Sequence, residues 1–196
     1  MDIWLIFILI YIFFIIVTLI PSFKAILGRT KLLPGGASFS ESPHFSDKEK
    51  DRLNQHYSRI MGTLTFWKNE TYKYGKFHNY CLYWVTISAI LVPIIAQFTD
   101  TSHYAKSLLT IVSLYTAILL GISRAFKVEN HYKAYRSGES EFYDLYRRLL
   151  DRPESFGPDR ENQLKMYFME VERLRKMIRN QETDIIPTLD GLNGSG

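Results

Sequence analysis

Residues 3–17, IWLIFILIYIFFIIV, are apolar without interruption apart from the hydroxyl of Tyr11, and the stretches 79–98 and 107–123 contain no charged side chain. A bilayer core about 30 Å thick is crossed by roughly 20 helical residues. Segments 3–20, 77–98 and 104–123 each come near that length, which predicts three transmembrane helices. The first has Asp2 where a signal peptide would carry basic residues, and no small-residue cleavage site precedes Pro21. It reads as an uncleaved anchor over 1–21.

The remaining chain shows a helical period. A Gly-, Pro- and Ser-rich stretch, LPGGASFSESPHF, ends at Phe45 and predicts a loop linker over 22–45. Ser46–Glu49 has the S-x-x-E form of a capping box, so a helix is expected to begin there. Leu53, Tyr57, Ile60, Leu64, Trp67, Thr71 and Tyr74 then recur at alternating steps of four and three, a coiled-coil seam expected to drive association of chains. Nothing before Pro93 prevents this helix from running into the second span. A second stripe, Val128, Tyr132, Tyr135, Glu139, Phe142, Tyr146 and Leu149, follows the third span, with Gly138 and Glu139 as its flaws. A hairpin of long helices over 46–151 is expected, then a cytoplasmic return helix within 152–186 bearing Leu164, Tyr167, Val171, Leu174 and Ile178. The tail 187–196 reads as disordered. The fold class is an all-α membrane protein: an N-terminal anchor helix plus a transmembrane hairpin continuous with a cytoplasmic coiled-coil helical bundle.

Composition matters only once it is divided along the chain. In 196 residues with 46% hydrophobic side chains, a mean hydropathy of -0.10 averages membrane-grade segments with strongly charged ones, which argues against a soluble single-core enzyme. The net charge of +4 is informative through its placement: of 24 Lys and Arg, 10 lie between the first two spans, 13 follow the third, and only Lys106 lies in the loop between the second and third. Cations concentrate on the cytoplasmic side, which predicts an outer N-terminus, a short outer loop and a cytoplasmic C-terminus in a multi-pass cell-membrane protein. A single cysteine, Cys81, excludes an intrachain disulfide framework.

The spans differ in side-chain size. The first is bulky on every face and reads as a lipid-facing outer anchor. The third carries Thr110, Ser113, Ala117 and Gly121 on one face, the small-residue pattern that permits close helix approach, and is the helix-packing or pore candidate. The second offers Cys81, Ser88, Ala89 and Ala96 as a weaker counterpart. Such faces either hold the hairpin together or meet in a second subunit. Neither of these two helices has an acidic or basic residue near its centre, which argues against a proton relay or voltage sensor. Arg124, Lys127, Lys133 and Arg136, beside Phe126, Tyr132 and Tyr135, read as lipid-headgroup contacts; phosphates of a nucleotide are the alternative ligand. The five histidines are scattered, and no nucleotide-loop, zinc-protease or nucleophile-elbow motif occurs. No catalytic, cofactor-binding or metal-binding residue is expected, and the chain does not read as an enzyme.

The hairpin 77–123, charged only at Asp100 and Lys106, is followed at once by RAFKVENHYKAYRSGESEFYDLYRRL, from Arg124 to Leu149. Over about residues 50–182 this resembles the SLATT family, two-transmembrane effector domains associated with nucleotide-signalling conflict systems of prokaryotes. His131, Tyr143 and Leu145 match its recurring helix pattern, and the anchor at 3–20 departs from its two-helix plan. The resemblance implies an inner-membrane effector of antiphage defence that oligomerises and permeabilises or depolarises the membrane, as a pore or otherwise. Its partners would be membrane lipid, further copies of itself, and a sensor protein or nucleotide second messenger as trigger, with no nucleic acid. The competing expectation is a non-permeating membrane adaptor whose cytoplasmic bundle binds a partner protein.

Overall fold

The computed structural model describes residues 2–28 and 38–185, and among these it contains α-helices and short 3₁₀ turns with no strand. The helices are α1 (Ile3–Leu27), α2 (Asp47–Ala96), α3 (His103–Ala125), α4 (Val128–Asp151) and α5 (Arg160–Ile185). The chain divides into two compact units. The described residues of 1–28 and 72–130 form one; those of 29–71 and 131–186 form the other. α2 contributes to both.

In the first unit, α1, α2 and α3 each contain a stretch long and apolar enough to cross a membrane. α1 starts where the Asp2 carboxylate accepts from the Trp4 amide at 3.0 Å, a side-chain cap on an otherwise open helix end. It runs through Pro21 to Leu27, so residues 22–27 of the expected linker are helical. α1 packs against α3. Its contact face centres on Tyr11, whose ring meets Trp84 edge-on at 5.2 Å and Tyr115 at 6.5 Å. Edge-on aromatic pairs add about 0.5–1.5 kcal/mol each beyond the area they bury. α1 is therefore an anchor with one packed face, its other faces carrying exposed Phe13, Ile16 and Val17.

The expected long hairpin is interrupted between its third span and the helix that follows. α3 ends at Ala125, and Lys127 adopts φ 42°, a left-handed backbone, before α4 starts at Val128. Neither Gly nor Pro marks this break, so the sequence reading passes over it.

The second unit is closed around a buried apolar core. Leu53, Ile60, Leu64 and Trp67 of α2 are buried together with Phe142 and Leu149 of α4 and Leu164, Tyr167, Val171 and Ile178 of α5. Tyr57 stacks on Phe142 at 6.1 Å. The expected association seam is thus filled by the chain's own α4 and α5. Its helix begins at Asp47, just after Ser46, whose amide and hydroxyl both donate to one Glu49 carboxylate oxygen at 2.7 Å.

Two further departures have clear physical causes. Gly138 is buried, and a β-carbon there would lie 3.0 Å from Ile178 Cγ1 and 3.2 Å from Trp67 Cε3. The apparent flaw in the α4 stripe is therefore what lets large side chains of α2 and α5 close over it. The end of the expected linker is also part of the core: Phe39, on a 3₁₀ turn Phe39–Glu41, is 1% exposed and lies 4.3 Å from the Tyr146 ring. Residues 29–37 of that linker and the tail 187–196 fall outside the described residues.

Candidate functional site

α3 has two opposite faces with different fates. Ala105, Leu108, Val112 and Leu119 are buried inside the unit. Thr110, Ser113, Ala117 and Gly121, on the other side of the helix, are all exposed. A β-carbon built on Gly121 would have nothing within 4 Å. Thr110 Oγ1 donates to the Lys106 carbonyl at 3.0 Å, so this hydroxyl is satisfied by its own helix and carries no penalty on an apolar face. The small-residue face therefore takes no part in closing the chain's own hairpin. In α2, Cys81 and Ser88 are buried whereas Ala89 and Ala96 are exposed.

The polar groups that do lie within this unit pair with one another. Tyr80 and Tyr115 share a hydrogen bond through their hydroxyls. Trp84 Nε1 donates to Thr18 Oγ1 at 3.0 Å, and Tyr11 and Ser88 hydroxyls approach to 3.5 Å. Each bond joins two different helices, fixing which face of α1 and of α2 turns inward. Beside them lies a cavity of about 920 Å³, mostly apolar, with Trp4 and Ile94 among its lining and Thr18, Ser22, Lys76 and Asn79 among its polar members.

The four cations that follow the third apolar stretch are distributed over both units. Arg124 and Lys127 belong to the membrane-grade unit, Lys133 and Arg136 to the other, and all four side chains are exposed. Of the aromatic residues beside them, Phe126 is exposed, but Tyr135 is buried, edge-on to Phe66 at 5.5 Å and stacked with His131 at 5.9 Å. The Tyr135 ring is thus already used inside its unit and is not open to stack a base. His131 is buried. Tyr143, half-buried, has its phenol pushed up to about 12 by burial and then by the neighbouring Tyr57 and Glu139. Leu145 borders a charged cleft between α4 and α5.

Sequence reading did not single out the pairing of Arg52, His56 and Arg59 with Phe168, Glu172 and Arg175, which line one cavity of about 450 Å³ between α2 and α5. The signal available in the sequence was Arg-x₃-His-x₂-Arg, which places three groups on one helix face. The opposing half comes from a helix more than a hundred residues later, and only folding joins them. Among the described residues, no group of three or more His, Cys, Asp or Glu side chains could hold a metal ion. Comparison with protein-family models, curated proteins and solved structures finds no match to this chain.

Proposed function

We propose that this chain is a membrane effector that assembles into a homo-oligomer through the small-residue face of α3 and, once assembled, permeabilises or depolarises a prokaryotic cell membrane. The single observation that carries this reading is the exposure of Thr110, Ser113, Ala117 and Gly121 together, opposite a face of α3 that its own chain already buries. In lipid, bulky apolar side chains gain little by leaving the acyl chains for another helix. Small residues gain more, because backbones can approach closely and dispersion contacts multiply. The resemblance to two-span conflict effectors supplies the expected outcome of such assembly. In this reading α1–α3 span the membrane with the N-terminus and the 99–105 loop outside, as the distribution of cations favours, and the second unit is cytoplasmic.

Membrane potential in cells expressing the full chain, alone and with its genomic neighbours, tests the reading. Gly121→Leu adds bulk without charge at a position where a β-carbon meets nothing within 4 Å, so it should abolish depolarisation while leaving membrane targeting and abundance intact. Val17→Leu, on an exposed face of α1, should leave depolarisation unchanged. Undiminished depolarisation by Gly121→Leu would remove the α3 face from the mechanism. A wild-type chain that never depolarises cells under any trigger would favour the adaptor.

A further inference from the structure

The cleft between α2 and α5 in the second unit has an excess of cations that its surroundings do not neutralise. Arg52, His56 and Arg59 stand at steps of four and three on α2, and Phe168, Glu172 and Arg175 repeat that spacing on α5, so two matching faces line one cavity of about 450 Å³. Three guanidinium groups share it with one carboxylate. The cleft between α4 and α5, about 660 Å³, differs: its four arginines are matched by four carboxylates. Among the described residues, none of Arg52, Arg59 and Arg175 has a carboxylate within 4.0 Å.

His56 adds a second, independent feature. Its ring lies 4.3 Å from that of Phe168, tilted 39°, and 5.9 Å from that of Tyr167. Nδ1 is buried without a hydrogen-bond partner. An unpaired buried acceptor costs less than an unpaired buried N–H beside two cations, so the ring proton belongs on Nε2, the nitrogen that is not buried. The cleft therefore presents three guanidinium forks and one imidazole donor beside an aromatic wall.

We propose that this cleft is a binding site for a small phosphate-bearing anion, held by Arg52, Arg59 and Arg175 with Nε2 of His56 as an additional donor and Phe168 as its apolar side. Guanidinium forks match phosphate oxygens in pairs, which a scattered set of surface ammonium groups does not. Arg175 also borders an adjoining cavity of about 320 Å³ lined by Arg179 and Glu182. This site is separate from the cations that follow the third apolar stretch and does not depend on the assembly role of α3.

Binding should be linked to protons. The charged and titratable groups facing His56 are Arg52 and Arg59 on α2 and Tyr167, Glu172 and Arg175 on α5. Burial, and then Arg59 and Arg175, hold the imidazole down to about 4. A bound anion cancels the repulsion from the arginines, so the imidazole takes its second proton more readily in the bound state than in the free one, against the opposing effect of burial. Affinity should rise as pH falls from 7 toward 5.

Titration calorimetry of the full chain in neutral detergent with 0.15 M salt tests the site, with inorganic pyrophosphate as probe. Saturable binding is expected, weakened about tenfold or more by Arg59→Gln and by Arg175→Gln, and unchanged by Arg173→Gln in the charge-balanced cleft. Glu172→Gln removes the one repelling carboxylate and should tighten binding about threefold, a gain that misfolding cannot produce. No binding, or binding indifferent to Arg59→Gln and Arg175→Gln, overturns the proposal. Sulfate, whose charge is constant over this range, should bind more tightly at pH 5 than at pH 7, and His56→Gln should flatten that profile; a flat wild-type profile would contradict the role given to His56. In vesicles, loss of pyrophosphate binding on adding phosphatidylglycerol to phosphatidylcholine identifies the phosphate as a lipid headgroup. Equal binding in both identifies it as a soluble anion.

Discussion

Two apolar stripes of this chain meet opposite ends. Along residues 53–67 of α2, Leu53, Ile60, Leu64 and Trp67 are buried by α4 and α5 of the same chain. Along α1 and the outer face of α3, Phe13, Ile16, Leu114 and Ile118 remain exposed. In water, an exposed stripe of the first kind would be strongly unfavourable, at about 25 cal/mol per Å² of apolar surface, so the chain folds back to cover it. Lipid solvates the second kind without that penalty. The consequence for function is direct: a periodic apolar seam in the second unit reports the chain's own core. Determinants of assembly are better sought where small residues stand exposed in a membrane-grade helix.

The contrast breaks most severely at Leu64, which is fully buried. Leu64→Asp places an unpaired carboxylate in that core and should cost more than about 4 kcal/mol. Hydrogen exchange should show α4 and α5 losing protection together, an unfolding of the unit. A folded unit with a smaller oligomer would instead return the seam to a role between chains.

A matched pair of glycines sharpens the comparison. Gly138→Leu drives a side chain into Trp67 and Ile178 and should destabilise the second unit by about 1–3 kcal/mol in the same measurement. At Gly121 a β-carbon has nothing within 4 Å, and Gly121→Leu should leave the stability of a monomer in detergent within about 0.5 kcal/mol of wild type. Equal losses would mean that Gly121 is packed within the chain.

A smaller effect than that of Gly138→Leu belongs to His56. Its folded-state proton affinity is lowered, from the ordinary 6.5 to about 4, chiefly by burial. As pH falls below 6.5 the unfolded chain takes a proton that the folded chain does not, so stability present above 6.5 is lost down to about 4. Because the ring is partly exposed, solvent screening reduces the loss to about 1 kcal/mol between pH 7 and pH 5. His56→Gln should flatten that part of the stability profile of the anion-free protein.

Much of this fold is legible in the sequence, for reasons that also set the limit. Uninterrupted apolar runs specify helices in lipid almost by length alone: the predicted spans 3–20 and 104–123 fall inside α1 and α3, and 77–98 runs two residues past the end of α2. Steps of three and four correctly mark Leu53, Ile60, Leu64 and Trp67 as one buried face. Periodicity does not say what covers that face, since the same stripe serves a neighbouring helix or a neighbouring chain. Gly138 reads as a defect because a stripe is judged one side chain at a time. Its value lies in the room it leaves for Trp67 and Ile178 on two other helices. Phe39 reads as linker because the Gly-Pro-Ser composition around it hides one aromatic anchor. The left-handed turn at Lys127 has no local signal. The arginine-rich cleft is half-legible: Arg52, His56 and Arg59 share a face by spacing, but Arg175 joins them only through the packing of α5.

The central claim is that the exposed small-residue face of α3 is where copies of this chain meet. Disulfide cross-linking in native membranes measures it most directly, with Cys81→Ala as background and one cysteine introduced at a time. Ala117→Cys should give an abundant disulfide-linked dimer under mild oxidation, and Ile16→Cys, exposed on α1, should give little. A dimer from Ile16→Cys as abundant as that from Ala117→Cys would indicate random collision. Absence of any dimer from Ala117→Cys in membranes where the wild-type chain is active would contradict assembly through α3.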